Sequence, residues 1–258
     1  MKKVYNKILI EESENTKKII LNRPEKRNSL DEEMISELTE VFRIISDDET
    51  TRSVILTGSG GNFCSGLFLD YLQKISEFDI LQNKADSKKF KNMLMAIYSC
   101  RKPVIAMVDG YALAGGCGIA SACDFIVTTD KAQFGYTEVK IGFIPAIVMI
   151  FLMKRVSETQ AKDLLLTSRF ITGEEAVKIG FANYCTSQEG LEEFTMNLCG
   201  DLNKLPMSSM LLTKEMFKNI SSMGFESSLE YAVNMNAITR MTEECRHGVM
   251  NFLSQSKK

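Results

Sequence analysis

Short apolar runs separated by amphipathic stretches mark the first two thirds of the chain. These runs have the length and the β-branched content of buried strands, and they cover Lys18–Asn22, Ser53–Thr57, Pro103–Val108 and Phe125–Thr128. Between the first two, apolar residues from Met34 to Ile45 recur at helical spacing behind Ser29-Leu-Asp-Glu32, which predicts a capping box. Because strand, helix and strand follow one another, the pattern predicts an α/β domain with parallel strand pairing.

From about residue 145 onward the pattern is almost wholly helical. Thr172-Gly-Glu-Glu175 predicts another capping box, for a helix that ends at Gly180. The remaining apolar periodicity predicts helices over Leu191–Lys204, Met207–Ile220, Glu226–Met241 and Glu243–Gln255. We therefore expect a core domain over residues 1–190 and a helical region over residues 191–258.

Two segments give a weaker signal. The apolar run Ile141–Met153 is too short for a bilayer, which needs about 20 residues, and we interpret it as a buried helix. The segment Ser76–Lys89 is polar and charge-rich, so its pattern allows either a mobile loop or a poorly periodic helix.

Composition narrows the function classes. In 258 residues the hydrophobic share is 45% and the charged share 25%, which is ordinary for a soluble globular protein. The net charge of −2 gives no reason to expect nucleic acid as a partner. The seven cysteines form no C-x-x-C pair, which favours reduced thiols in the cytoplasm. We expect no membrane association, no signal peptide and, because metal-ligand spacing is absent, no metal.

The richest chemistry lies in Asp109–Asp124, where the apolar run Val104–Val108 leads into a glycine-rich turn and a small-residue helix. Such a turn leaves main-chain N–H groups unpaired at a helix N-terminus, so it can hold a phosphate or the oxyanion of a thioester enolate. A second small-residue turn, Gly60–Leu69, follows the strand Ser53–Thr57. If the two turns converge, they form an oxyanion hole. The spacing alone agrees equally well with two turns that only close strands around a packing contact. Nucleotide-binding loops are disfavoured, because neither G-x-x-x-x-G-K-[ST] nor G-x-G-x-x-G occurs.

Several blocks together resemble the enoyl-CoA hydratase/isomerase (crotonase) superfamily, in the family's order and over nearly the whole chain. They are Leu21–Leu30, Phe63–Gly66, Asp109–Gly116, Ala132–Glu138 and Ile141–Pro145. The resemblance implies a spiral of ββα units followed by a helical C-terminal region that assembles trimers, often paired into hexamers. It also implies an acyl-CoA or acyl-carrier thioester substrate, with coenzyme A as part of the substrate and no separate cofactor.

Site residues follow from the same resemblance. The oxyanion donors would be the N–H groups of Leu67 and Gly115, and Glu138 would be the catalytic acid/base. Substrate-binding positions would be Arg27, Ser65, Leu67, Phe68, Leu69 and Gly115. The family's common lysine beyond the second turn is Asp70 here, which removes one expected phosphate contact. We expect the acyl pocket to include Phe68, Tyr71, Ile144 and residues of Ser76–Lys89.

The chain departs from the family at a second catalytic position. Family hydratases typically carry two glutamates, and the one in the glycine-rich helix is Gly118 here. The stretch Glu138–Ala146 resembles that of single-glutamate hydratases, so we expect reversible hydration of a 2-enoyl-CoA with Glu138 as acid/base. The alternatives are a Δ3,Δ2-enoyl-CoA isomerase that uses Glu138 alone, a decarboxylase, and a non-catalytic acyl-CoA-binding protein.

Overall fold

The computed structural model describes residues 4–255, and its strands form two sheets. The strands are β1 Ile8–Ser13, β2 Thr16–Leu21, β3 Ser53–Gly58, β4 Val104–Val108, β5 Tyr111–Leu113, β6 Phe125–Thr129, β7 Gln133–Gly135, β8 Phe170–Thr172 and β9 Tyr184–Thr186. The larger sheet has the order β1-β2-β3-β4-β6-β9 and the smaller one β5-β7-β8.

The helices alternate with these strands and then continue alone. They are α1 Glu32–Asp47, α2 Leu69–Ser76, α3 Ile80–Tyr98, α4 Gly115–Ala122, α5 Ala146–Leu152, α6 Glu158–Thr167, α7 Gly173–Lys178, α8 Leu191–Lys204, α9 Met207–Ile220, α10 Phe225–Met241 and α11 Glu243–Gln255. The chain divides into an N-terminal unit that ends at Cys199 and a C-terminal unit that begins at Gly200.

Parallel pairing in the larger sheet is carried by fully buried positions. Ile19 pairs with Leu56, Leu56 with Ala106, and Ala106 with Ile126, and all four side chains are inaccessible to solvent. Strands buried on both faces read as continuous apolar runs, which is why the sequence predicts them. The four predicted strands are therefore confirmed as β2, β3, β4 and β6.

Successive pairs of strands along the chain share one arrangement. The first strand of each pair enters the larger sheet, and the second enters the smaller sheet, as with β4 and β5 and then β6 and β7. Cys64 takes the second-strand place after β3, where it forms a parallel bridge to Ala112 of β5. The second extended segment of each pair therefore lies beside the second segment of the next pair. This places the two glycine turns side by side.

The first predicted capping box is wrong. Asp31 is the N-cap of α1, and its carboxylate accepts the Met34 N–H at 2.9 Å. The Ser29 hydroxyl is instead buried without a hydrogen-bond partner among the described residues. The reason is tertiary: a bridge to Leu67 holds Leu30 extended, so the helix begins only at Glu32. The second box is half formed, since Thr172 accepts from Glu175 N and α7 ends at Lys178.

The apolar run Ile141–Met153 is also not a single buried helix. Only Ala146–Leu152 is α-helical, and Ile144 and Ile150 are 73% and 56% exposed. Gly142, at φ 76°, and Pro145, at the N-cap, separate this helix from the preceding turn. The polar segment Ser76–Lys89 is helical from Ile80 onward, because Asp79 and Gln82 form a capping box there.

The C-terminal unit consists of helices. Helices α9, α10 and α11 match three predicted helices to within one residue. The Glu244 carboxylate accepts the N–H groups of Met207 and Ser208 at the start of α9, and the Asn219 amide donates to the Tyr231 hydroxyl. Large apolar side chains on this unit remain exposed, among them Phe217, Phe225, Val233, Met241 and Phe252. None of the described helices has the length and apolar character that a membrane span requires.

Candidate active site

Hydrogen bonds to Asp109, the first residue after β4, hold the turn that follows this strand. Asp109 accepts the hydroxyl of Thr129 at 2.9 Å and the side-chain amide of Gln188 at 2.8 Å. Gly110 follows at φ 58°, and a Cβ there would lie 2.1 Å from the carbonyl oxygen of Gly61. Only glycine allows this approach, so the two glycine turns contact each other at this point.

Ala114 turns the chain from β5 into α4 in a strained conformation. Its φ of 48° and ψ of −114° are rare for a residue with a side chain and cost about 1–3 kcal/mol. Its N–H donates to Gly135 O at 2.7 Å, and its carbonyl accepts from Gly118 N at 3.1 Å. In a trans peptide the C=O and the next N–H point in opposite directions. The Gly115 N–H therefore points out of the N-terminus of α4, where no intrahelical acceptor exists.

The Leu67 N–H is presented in the same way. Gly66 O accepts from Leu30 N at 2.7 Å, and Phe68 N donates to Leu30 O at 2.8 Å. Since the peptide bonds are trans, the Leu67 N–H points away from Leu30. A parallel bridge therefore fixes this donor through main-chain bonds on its neighbours.

The two turns meet at Gly66. A Cβ at this position, whose φ is 89°, would lie 3.1 Å from Leu113 O and 3.6 Å from Gly115 N. One residue further along α4, a Cβ at Gly116 would lie 2.2 Å from Cys64 O. The Gly66–Leu67 peptide thus packs against the N-terminus of α4. The geometry brings together the two main-chain donors that the sequence singles out.

Glu138 begins a 3-10 turn, Glu138–Ile141, directly after β7. Its Oε2 atom is buried and has no hydrogen-bond partner among the described residues. Burial raises the pKa of the carboxyl above its usual 4.5, while a hydrogen bond from its own N–H opposes the shift. Burial and, to a smaller extent, the nearby Glu138 charge raise the pKa of the Cys117 thiol in α4. The carboxylate of Glu138 is therefore a stronger base than a free one, and it lies within electrostatic reach of Cys117 in α4.

Position 118 is filled by a neighbouring helix. A Cβ at Gly118 would lie 2.5 Å from Cγ1 of Val148 in α5 and 3.6 Å from Cδ1 of Leu94 in α3. Val148 is 3% exposed and Leu94 is fully buried. The place of the second family glutamate thus holds a packed valine, and no room remains for a carboxylate.

The residues expected to bind substrate lie around Leu67. Ser65 N donates to Arg27 O at 3.0 Å, and the Arg27 guanidinium lies 5.3 Å from the centre of the Tyr111 ring. Phe68 is half-buried, whereas Leu69 is 75% exposed. These positions form one surface around the start of α2.

Two cations at this surface escaped the sequence interpretation. The guanidinium of Arg23 and the ammonium of Lys26 lie 4.8 Å and 5.2 Å from the centre of the Phe68 ring. Arg23 also pairs with Asp31 at 2.7 Å, so Lys26 and Arg27 are the more available cations. Their place in the Leu21–Leu30 block is a signal that could have identified them.

The residues expected to line the acyl pocket differ in their exposure. Tyr71 is 7% exposed, and its hydroxyl donates to Asp86 of α3. Ile144 is 73% exposed. Phe90, just outside the expected segment, contacts the Gly115 position instead. Only the packing of α3 against α4 reveals this residue. Among the described residues, no group of three or more His, Cys, Asp or Glu side chains could hold a metal ion.

Comparisons with known proteins agree over nearly the whole chain. The sequence model of the enoyl-CoA hydratase/isomerase family matches residues 11–258. A Thermus thermophilus protein with a provisional enoyl-CoA hydratase name is 36% identical over 92% of this chain and 94% of its own length. The crotonyl-CoA hydratase of Syntrophomonas wolfei is 29% identical over 98% of this chain and 97% of its own.

Solved structures give the same result for the fold. The enoyl-CoA hydratase of Mycobacterium smegmatis superimposes with a TM-score of 0.92 at 26% identity, covering 97% of each chain. That of Bacillus anthracis gives 0.90 at 26% identity, also with 97% of each chain covered. The predicted fold class, a ββα spiral with a helical C-terminal region, is confirmed by these matches.

Proposed function

The chain belongs to the enoyl-CoA hydratase/isomerase family of enzymes, and on that premise we propose that it catalyses the reversible hydration of a 2-enoyl-CoA. The observation that carries this proposal is the approach of the Gly66–Leu67 peptide to the N-terminus of α4 at Gly115, together with a buried Glu138 Oε2 atom that has no hydrogen-bond partner among the described residues. Donors aimed at one point suit an oxygen on which charge develops, and they act most strongly where water is excluded.

The reaction needs one base and one acid in turn. Glu138 accepts a proton from water as the water oxygen bonds to the β-carbon, and the double-bond electrons move towards the thioester carbonyl. The resulting enolate oxygen accepts hydrogen bonds from Leu67 N and Gly115 N. Glu138 then returns its proton to the α-carbon and the carbonyl re-forms. Because burial raises its pKa, the same carboxyl group is suited to both transfers.

Substrate binding is assigned in this proposal to the surface around α2. Arg27, Ser65 and Leu67–Leu69 would hold the coenzyme A portion, and the cations of Arg27 and Lys26 suit its phosphates. An acyl-carrier thioester would present the same reacting group. The substrate supplies coenzyme A, so the scheme uses no separate cofactor.

One observation favours a second reaction, the Δ3,Δ2-isomerisation of an enoyl-CoA. Val148 fills the place where a second carboxylate could hold water. Moving a proton from the α-carbon to the γ-carbon requires no water, and one carboxylate is sufficient for it.

The two reactions are separated by incubation with crotonyl-CoA, 3-methylglutaconyl-CoA and 3-hexenoyl-CoA. Loss of the conjugated enoyl-thioester absorbance reports hydration, and a gain from 3-hexenoyl-CoA reports isomerisation. No change with any of the three contradicts both reactions and leaves the decarboxylase and the non-catalytic binding alternatives.

We expect the rate of hydration to depend on pH through Glu138. Its carboxylate form is the base, so kcat/KM should rise with pH through a pKa above the usual 4.5. The measurement is a kcat/KM profile from pH 4 to 8, restricted to the range in which circular dichroism shows the protein folded. An acidic limb at or below 4.5 would contradict the proposed environment of the carboxyl group.

Assembly and location stay predictions. The family resemblance implies a homotrimer or a hexamer, and exposed apolar side chains on α9–α11 are compatible with burial between copies. Light scattering after size-exclusion chromatography distinguishes these states. All seven cysteines are free thiols, which suits the cytoplasmic location that the sequence predicts.

A further inference from the structure

Helix α3 lays one apolar stripe across the glycine face of α4. Phe90 and Leu94 are four residues apart and therefore share a face of α3, as Gly115 and Gly118 share a face of α4. A Cβ at Gly115 would lie 3.4 Å from Cε2 and Cζ of Phe90 and 3.4 Å from Cδ1 of Leu30. At Gly118 the corresponding contacts are Leu94 and Val148.

The Phe90 ring lies beside the donor end of α4. Cβ positions on a helix tilt towards its N-terminus, so atoms that meet a Cβ at Gly115 lie next to the outward-pointing Gly115 N–H. A thioester oxygen bound by that N–H would place the α- and β-carbons of the acyl group in this region. Phe90 is thus positioned to touch the acyl chain close to its reacting carbons.

Exposure distinguishes Phe90 from the other three apolar contacts. Leu30 and Leu94 are fully buried and Val148 is 3% exposed, so they belong to the core. Phe90 is only partly buried and packs on that core. Phe90 is therefore the partly accessible member of this apolar set, and none of the four side chains offers a charge.

The ring is also held in place from its own helix. Asp86, one turn before Phe90, accepts the Tyr71 hydroxyl of α2, and Lys89 pairs with Glu32 of α1. The first contact ties α3 to α2, which begins two residues after Leu67, and the second ties α3 to α1. The Phe90 ring, which we call the wall, and the two N–H donors therefore lie on segments that contact one another.

We propose that Phe90 determines acyl specificity, restricting the site to short, uncharged, aliphatic acyl groups. The proposal rests on the proposed function for the location of the thioester. Shortening the side chain would open the space between the hole and the buried Leu30, Leu94 and Val148, where longer chains could enter.

The test compares wild type, Phe90→Leu and Phe90→Ala on crotonyl-CoA and 2-decenoyl-CoA. We expect Phe90→Ala to raise the ratio of kcat/KM for decenoyl over crotonyl substrate by about 10-fold or more, with Phe90→Leu between it and wild type. Leu166→Ala is the control, because Leu166 is 73% exposed and lies in α6, outside the segments expected to form the acyl pocket. Its ratio should remain within about twofold of wild type. Melting temperatures show whether each variant is folded, and Phe90→Leu serves if Phe90→Ala is not.

Calorimetric affinities for butyryl-CoA and decanoyl-CoA separate this proposal from the proposed reaction. A shifted affinity ratio in the Phe90 variants without turnover by wild type would support the wall and contradict the reaction. Turnover by wild type with unchanged ratios in both Phe90 variants would overturn the wall. A higher kcat/KM of wild type for 3-methylglutaconyl-CoA than for crotonyl-CoA would overturn the restriction to uncharged acyl groups.

Discussion

Glu138→Gln is expected to lower kcat by about 10³-fold while the affinity for butyryl-CoA stays within about twofold of wild type. The amide matches the carboxylate in shape but cannot accept a proton from water and return it to the α-carbon. Steady-state kinetics and calorimetry measure the two quantities separately. Glu158→Gln is the matched control, because Glu158 pairs with Lys162 at the start of α6 and should tolerate the change without loss of turnover. Unchanged turnover in Glu138→Gln would remove this residue from the mechanism.

The same substitution is expected to increase the free energy of unfolding at neutral pH. The pKa of Glu138 is higher in the folded protein than the usual 4.5, so the folded state binds this proton more tightly than the unfolded state. Stability is therefore lost as pH rises from about 4.5 through the folded pKa, because the burial penalty on the charged carboxylate exceeds what the bond from the Glu138 N–H offsets. A neutral amide avoids that cost. Urea unfolding at pH 7.5 should show a more stable variant, and the gain should disappear below about pH 4.5. A variant less stable than wild type at pH 7.5 would contradict the raised pKa of this carboxyl group.

Gly118→Glu, which restores the second family carboxylate, is expected to destabilise the protein by about 3 kcal/mol or more and to add no hydratase activity. Its Cβ alone would lie 2.5 Å from Cγ1 of Val148, and the carboxylate would then enter an apolar contact between helices. Denaturant unfolding gives the magnitude.

Two further variants identify the cause of that loss. Gly118→Ala isolates the clash of the Cβ, and Gly118→Glu combined with Val148→Ala removes the side chain that occupies the space. The double variant should recover part of the lost stability. If Gly118→Glu alone is as stable as wild type, α5 does not fill the position as the structure indicates.

The local sequence predicted those strands and helices whose apolar pattern lies within a single segment of the chain. The buried strands β2, β3, β4 and β6 were predictable because both of their faces are apolar, and α1 because its apolar positions repeat at helical spacing. The start of α1 was not, since Ser29 and Asp31 are both good capping residues and only the bridge between Leu30 and Leu67 selects Asp31. The pattern over the first half of α3 did not decide between a helix and a loop, because lysines and asparagines interrupt its apolar positions.

By itself the sequence determined the family, the fold class and the identity of Leu67, Gly115 and Glu138 as candidate site residues. It could do so through the resemblance of its motifs to that family, and the glycines of those motifs stand out because turns that bring a main chain close to its neighbours require glycine. Tertiary structure alone decided that Val148 fills the space at Gly118 and that the Phe90 ring lies beside Gly115. Side-chain packing between helices distant in sequence depends on the shapes of the side chains that meet in the folded protein, and no local pattern records it.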